Sequence, residues 1–178
     1  EAITERDSLP VMTTLGVTTL ISDSGVTRYR VNTEEWMMYD RKKPSYWAFE
    51  KGVYMEQFDS IFNVEASIKA DTAYYYDKER LWKLIGNVDI QNRKGERFNT
   101  ELLYWNEATQ KVYSDKFIRI QQPDRIITGH GFDSNQQMTI YTIRNIEGIF
   151  YVDEEASSGP PQPETKALPD SVNKDTAK

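Results

Sequence analysis

The stretch that decides the fold is Phe62-Asn63-Val64-Glu65-Ala66-Ser67-Ile68-Lys69-Ala70-Asp71. Apolar and polar residues alternate strictly through it, which is the pattern of a β-strand with one face in a core and the other in water. The same alternation continues outward at Val88 and Ile90, at Leu102 and Tyr104, and at Ile118 and Ile120. No segment carries a sustained helical period, and the residues between are rich in the Tyr, Trp, Phe, Val, Ile and Thr that strands prefer.

Turn chemistry punctuates these runs at Asp77-Lys78-Glu79-Arg80, Asn92-Arg93-Lys94-Gly95, Asn106-Glu107-Ala108-Thr109, Gln122-Pro123-Asp124 and Asp133-Ser134-Asn135. The turn centres lie about 12 to 15 residues apart, which leaves strands of about ten residues in an antiparallel meander. Gly86 and Gly129-His130-Gly131 fall inside strands, where glycine marks a bulge or bend. A shift of about 30 residues lays Ala70-Asp71 on Thr100-Glu101, Tyr74-Tyr75 on Tyr104-Trp105, and Val88-Asp89-Ile90-Gln91 on Ile118-Arg119-Ile120-Gln121. A hairpin unit of that size cannot bury its apolar face alone, so the units stack on a shared core and leave open edge strands at the ends. The expected fold class is all-β, a twisted antiparallel two-sheet sandwich of hairpin repeats.

Composition bounds the rest. The chain has 178 residues, no Cys, one His and a formal net charge of −6. Disulfides, thiolate nucleophiles and Cys- or multi-His metal sites are excluded, and no cofactor motif is present. An acidic surface is a poor partner for nucleic acid. The apolar-leaning stretch Pro10 to Ile21 is too short and too rich in Thr for a membrane helix, which needs about 20 residues. Residues 153–178 hold four of the seven prolines and five hydrophobic residues. They read as a disordered acidic tail. Residues 1–15 read as a flexible lead-in, which leaves 16–152 as the folded unit.

Several residues could carry chemistry. His130 lacks an identifiable triad partner and reads as solvated or structural. Asp71, Glu101 and Asp115 follow small residues at expected strand starts; an acid pair of glycosidase type is conceivable, but equivalent places in a repeat explain them better, bonded to backbone N–H groups. Arg41-Lys42-Lys43-Pro44 reads as a solvated loop. The aromatic load, including Trp36, Tyr46, Trp47, Trp82 and Trp105, fits either a β core or the sugar-stacking platform of a carbohydrate-binding β-sandwich module. No residue makes a positive case for an enzyme.

Taken in order, Ser22-Asp23-Ser24-Gly25, Trp47 and Phe49 before Gly52, Ala70-Asp71 with Ala73 and Tyr75, and Leu84 to Gly86-Asn87-Val88 form the first part of a recognisable series. Gly95, Thr100-Glu101 with Leu103 and Trp105, Tyr113-Ser114-Asp115, and Gly129 to Gly131-Phe132 complete it. The series, from about Ser22 to Gly148, resembles the LptC family, the periplasmic bridge component of lipopolysaccharide export.

The resemblance implies a boat-shaped β-jellyroll open along one side, with lipid A acyl chains held between its two sheets and no catalytic residues. It also implies partners: lipopolysaccharide, the subunits of an inner-membrane ABC transporter, and an LptA-like periplasmic protein joined by edge-strand docking. It places the protein in the periplasm, tethered to the inner membrane by an N-terminal anchor that this chain lacks. The residues expected to line the lipid groove are Phe62, Val64, Ile68, Val88, Ile90, Leu102, Ile118 and Ile120, for each of which plain core packing is the other role.

Overall fold

Eleven strands follow one another through short turns: β1 (Met12–Asp23), β2 (Val26–Tyr39), β3 (Tyr46–Phe49), β4 (Val53–Phe58), β5 (Val64–Ala70), β6 (Thr72–Tyr76), β7 (Leu81–Asn92), β8 (Arg97–Asn106), β9 (Lys111–Gln121), β10 (Arg125–Asn135) and β11 (Tyr141–Tyr151). They come from a computed structural model that describes residues 8–152. The expected tail, 153–178, and residues 1–7 of the expected lead-in lie outside the described residues; the rest of that lead-in includes the first four residues of β1.

Every pairing is antiparallel, and the fold is a β-jellyroll made from one meander of bent strands. β3 and β4 are two pieces of a single strand broken before Gly52, and β5 and β6 are two pieces broken at Asp71. β2 accordingly pairs with β4 along Tyr29–Thr33 and with β3 along Met37–Tyr39. β7 pairs with β6 along Leu81–Ile85 and with β5 along Asp89–Asn92. These pairings close a ring without closing a barrel, because both halves belong to the same bent strands.

The bends line up across the sheet. The β7–β8 register breaks between Ile85 and Val88, the β8–β9 register between Thr100 and Tyr104, and the β9–β10 register between His130 and Phe132. Gly86 and Gly131 sit at two of these breaks with φ of 78°, a left-handed backbone conformation that favours glycine. Asp71, Glu101 and Gly131 are spaced by 30 residues along this line, so the sequence repeat is the repeat of the bend. Asp71 and Glu101 are therefore at mid-strand bends and not at strand starts: Asn87 Nδ2 donates to Asp71 Oδ2 at 2.7 Å, and the Asn87 backbone N–H donates to Glu101 Oε2 at 3.4 Å.

Each bend splits the sheet into two arms whose inner faces meet. The first arm contains β3, β6, the start of β7, the end of β8 and the start of β9. The second contains β4, β5, the end of β7, the start of β8 and the end of β9. One core cluster spans both, from Phe49, Trp82, Leu84 and Trp105 to Met55, Ile68, Ile90 and Ile120.

Two local readings of the sequence shift. At the bend β7 and β9 each carry one residue more than β8, and β8 changes phase there: Phe98 and Thr100 point inward before it and Leu103 and Trp105 after it, in place of Leu102 and Tyr104. The last turn falls at 136–140, after Asp133–Asn135, which close β10. There Asn135 Oδ1 accepts from the backbone N–H groups of Thr139 and Ile140, so its side chain ties the turn together one step later than the residue types indicate.

Candidate functional site: the space between the arms

The two inner walls differ in chemistry. On the first arm the aromatic rings form a chain. Trp36 lies 4.9 Å from Trp47 and 6.0 Å from Phe49, and Phe49 lies 5.5 Å from Trp82. Trp82 then meets Tyr75 at 4.6 Å and Trp105 at 6.2 Å. On the second arm the wall is aliphatic apart from Phe98: Ile68 pairs with Ile90, Ile90 with Phe98, and Phe98 with Ile120, flanked by Val88 and Ile118. The walls touch where Tyr29 of β2 meets Trp105 edge-on at 5.0 Å.

Five of the eight residues expected in the groove are thus brought together on the inner face of the second arm: Ile68, Val88, Ile90, Ile118 and Ile120. Leu102 pairs with Ile85 on the outer face. Phe62 and Val64 are exposed at the β4–β5 turn, where Phe62 stacks on Phe58 at 4.2 Å. That turn is held by Asp59, whose Oδ1 accepts from the Ile61 and Asn63 backbone N–H groups. These bonds and Arg93 pull the Asp59 carboxyl below its ordinary pKa.

Alternation alone missed the aromatic wall and Met55, because Trp and Tyr read equally as core, rim or platform. Their placement separates these roles: Trp36, Trp47, Trp82 and Trp105 all pack against the core. Outer-face tyrosines stack on one another, Tyr39 on Tyr46 at 4.9 Å and Tyr104 on Tyr113 at 5.4 Å.

The arm tips form the rim of this space, and they are polar. Toward the N-terminal strands lies a cleft of about 450 Å³, with Arg28, Gln57 and Glu65 on one lip and Arg80, Glu107 and Gln136 on the other. Glu107 organises its lip. Trp82 Nε1 donates to Oε1 at 2.9 Å, Tyr75 Oη donates to Oε2 at 3.3 Å, and Arg80 Nε lies 3.6 Å from Oε2. Burial, and then the nearby Glu107 charge, push the phenols of Tyr29 and Tyr75 up to about 12.

Toward the C-terminal strands the rim is shut. The β10–β11 turn reaches from the first arm to the second and inserts Met138, 1 % exposed. Asn92 at the end of β7 holds it there, with Nδ2 donating to Met138 O at 2.8 Å and to Glu96 Oε2 at 2.7 Å. Tyr141 Oη donates to Glu96 Oε1 at 3.1 Å, and Gln122 Nε2 donates to the same oxygen at 2.9 Å.

The other polar candidates lie outside this space. A cavity of about 760 Å³ on the outer face includes Asp71, Asn87, Glu101, Lys116 and His130 in its lining. His130 Nδ1 is 2.5 Å from Glu147 Oε1, with both side chains exposed. Arg144 donates to Asp115 Oδ1 at 2.8 Å and to Ser114 O at 2.6 Å. Among the described residues, no helix is long and apolar enough to cross a membrane.

Residues 12–150, nearly the whole run of strands, match a family model described as lipopolysaccharide-assembly, LptC-related. No curated protein matches the chain.

Proposed function

The chain belongs to the LptC family of lipopolysaccharide-assembly proteins, and on that premise we propose that it is a non-catalytic carrier holding lipid A acyl chains between its two arms. The observation that supports this reading is an apolar interior between an aromatic and an aliphatic wall, packed shut in the described state, with a polar cleft at its rim. An amphiphile fits such a gradient, with its chains between the walls and its head among Arg28, Arg80 and the glutamines of the rim.

The energetics favour burial over attraction. With a net charge of −6, the protein exerts no long-range pull on an anionic lipid. Each acyl methylene removed from water contributes about 0.8 kcal/mol, so a short length of buried chain outweighs repulsion screened over about 8 Å. The walls are packed together in the described state. Entry therefore requires the arms to part, and packing of wall on wall gives way to packing of wall on acyl chain, which is chemically the same.

Transfer runs from an inner-membrane ABC transporter in the periplasm to an LptA-like protein by strand addition. Among the described residues β1 pairs only with β2 and β11 only with β10, so each presents an open row of backbone N–H and C=O groups there. Both edge strands also expose large apolar side chains, Leu15 and Leu20 on β1 and Ile146, Phe150 and Tyr151 on β11.

A photo-crosslinking amino acid at Ile90 should capture lipopolysaccharide, whereas one at Asp89 on the outer face should not; equal capture at both sites overturns the carrier reading. Proline in β11 should abolish capture of an LptA-like partner while the monomer stays folded, and retained capture overturns edge docking.

A further inference from the structure

Trp105 Nε1 is a buried indole N–H with no hydrogen-bond acceptor among the described residues, in a side chain only 4 % exposed. Burying a donor without an acceptor is costly, and native interiors rarely leave one so. Its neighbour on the aromatic wall, Trp82, is satisfied by Glu107. Trp36 Nε1 is also unpartnered, but that ring is packed against Trp47 and Phe49.

Trp105 differs in lining a void between the arms, together with Tyr29, Met55, Ile68 and Gln136. The void is about 10 Å³, enough for at most a single water, and its walls are largely apolar. It shares Tyr29, Gln57 and Gln136 with the polar cleft, so it lies directly beneath that cleft. In an amphiphile seated with its head in the cleft and its chains between the walls, this depth is where head joins chain. The atoms at that junction in an acylated lipid are ester or amide carbonyl oxygens and chain hydroxyls, all of them acceptors.

Building on the carrier reading, we propose that Trp105 is a positioning and selectivity residue whose Nε1–H binds the acyl-linkage oxygen of the lipid. No described protein atom accepts from this N–H, and a ligand with an acceptor at this depth does so in place of at most one water. A plain alkyl chain fills the same space and leaves the donor orphaned. Lipid binding is thereby biased toward acylated amphiphiles, since only they stabilise the parted state through this group.

The test is titration of the ¹⁵N-Trp-labelled protein with lipid A micelles, followed by indole N–H resonances, beside Trp105→Phe, which keeps an aromatic ring but removes the donor and part of the apolar volume. The Trp105 indole proton should move downfield on binding, while that of Trp82, bonded in both states, shifts little. Trp105→Phe should weaken lipid A binding about tenfold, the equivalent of one hydrogen bond. Its affinity for dodecyltrimethylammonium, which has no acceptor, should fall far less than its affinity for lipid A, because that probe loses only apolar contact. Wild-type affinity for lipid A in Trp105→Phe, an equal loss for both probes, or an unmoved Trp105 resonance in lipid-saturated wild type overturns the assignment. No lipid A binding by wild type overturns the carrier reading itself. If Trp105→Phe does not fold, the wild-type resonance alone decides.

Discussion

Replacing Asn92 with alanine tests whether the closed side of the rim is held by hydrogen bonding or by packing. Asn92 is 7 % exposed and makes four bonds. Its Nδ2 donates to Glu96 Oε2 and Met138 O, and its Oδ1 accepts from the Lys94 and Glu96 backbone N–H groups at 3.0 Å each. A buried hydrogen bond contributes about 1 kcal/mol net. Lys94 is exposed, so its N–H regains water and costs little, whereas the partners at Glu96 and Met138 stay buried. The expected loss is about 3 kcal/mol, which for a domain of this size lowers the melting temperature by about 9 °C. Urea denaturation followed by tryptophan fluorescence measures it. Because Met138 O is the contact that ties the β10–β11 turn to the opposite arm, hydrogen exchange in that turn should also accelerate. Asn92→Asp is a sharper companion: it keeps the acceptor, loses both donated bonds and sets a carboxylate beside Glu96. It should be destabilised at neutral pH and partly recover as the pair takes up a proton in acid. A loss below about 1 kcal/mol in Asn92→Ala, with exchange unchanged, refutes the reasoning and leaves Met138 packing as what closes the rim.

Two further outcomes follow from the same geometry. Gly131→Ala should cost at least about 2 kcal/mol in urea denaturation, since its φ is 78° and a Cβ there would sit 2.6 Å from Arg144 Nε; a neutral effect overturns the bend assignment. The phenols of Tyr29, Tyr75 and Tyr141 are raised from 10.0 to about 12, each mainly by burial and then by a nearby glutamate. Between those values the unfolded chain has lost protons that the folded one keeps, so stability holds up to about pH 10 and falls as the pH climbs toward 12. Denaturation midpoints at pH 9, 10 and 11 should show a small decline in the first step and a steeper one in the second, and a flat profile overturns it.

Strand chemistry was legible because alternation is local. Ala66, Ile68 and Ala70 read as inward-facing from their spacing and are buried, and Val88, Ile90, Ile118 and Ile120 follow the same rule. Gly86 and Gly131 announced bends for an equally local reason, the backbone conformation that a bulge demands. Leu102 went to the outer face because β8 changes phase at the bend, where β7 and β9 each carry one residue more, and the residues on either side of such a break look no different in sequence from any strand interior. Trp82 and Trp105 could have been core, rim or platform, and only the meeting of two arms put them on an inner wall.

By itself, then, the sequence determined an all-β meander of long strands, bent at regular intervals along a repeat of 30 residues, and a motif order resembling one lipopolysaccharide-assembly family. Period, turn chemistry and glycine placement act over a few residues, so they survive in the linear text. Tertiary structure alone decided that the bends align into one line and that an aromatic wall faces an aliphatic one. It also decided that Met138 closes one side of the rim through Asn92, and that Trp105 holds an unpartnered N–H beneath a polar cleft. Each of these joins residues dozens of positions apart, and a buried donor is orphaned only with respect to atoms that folding brings, or fails to bring, within reach.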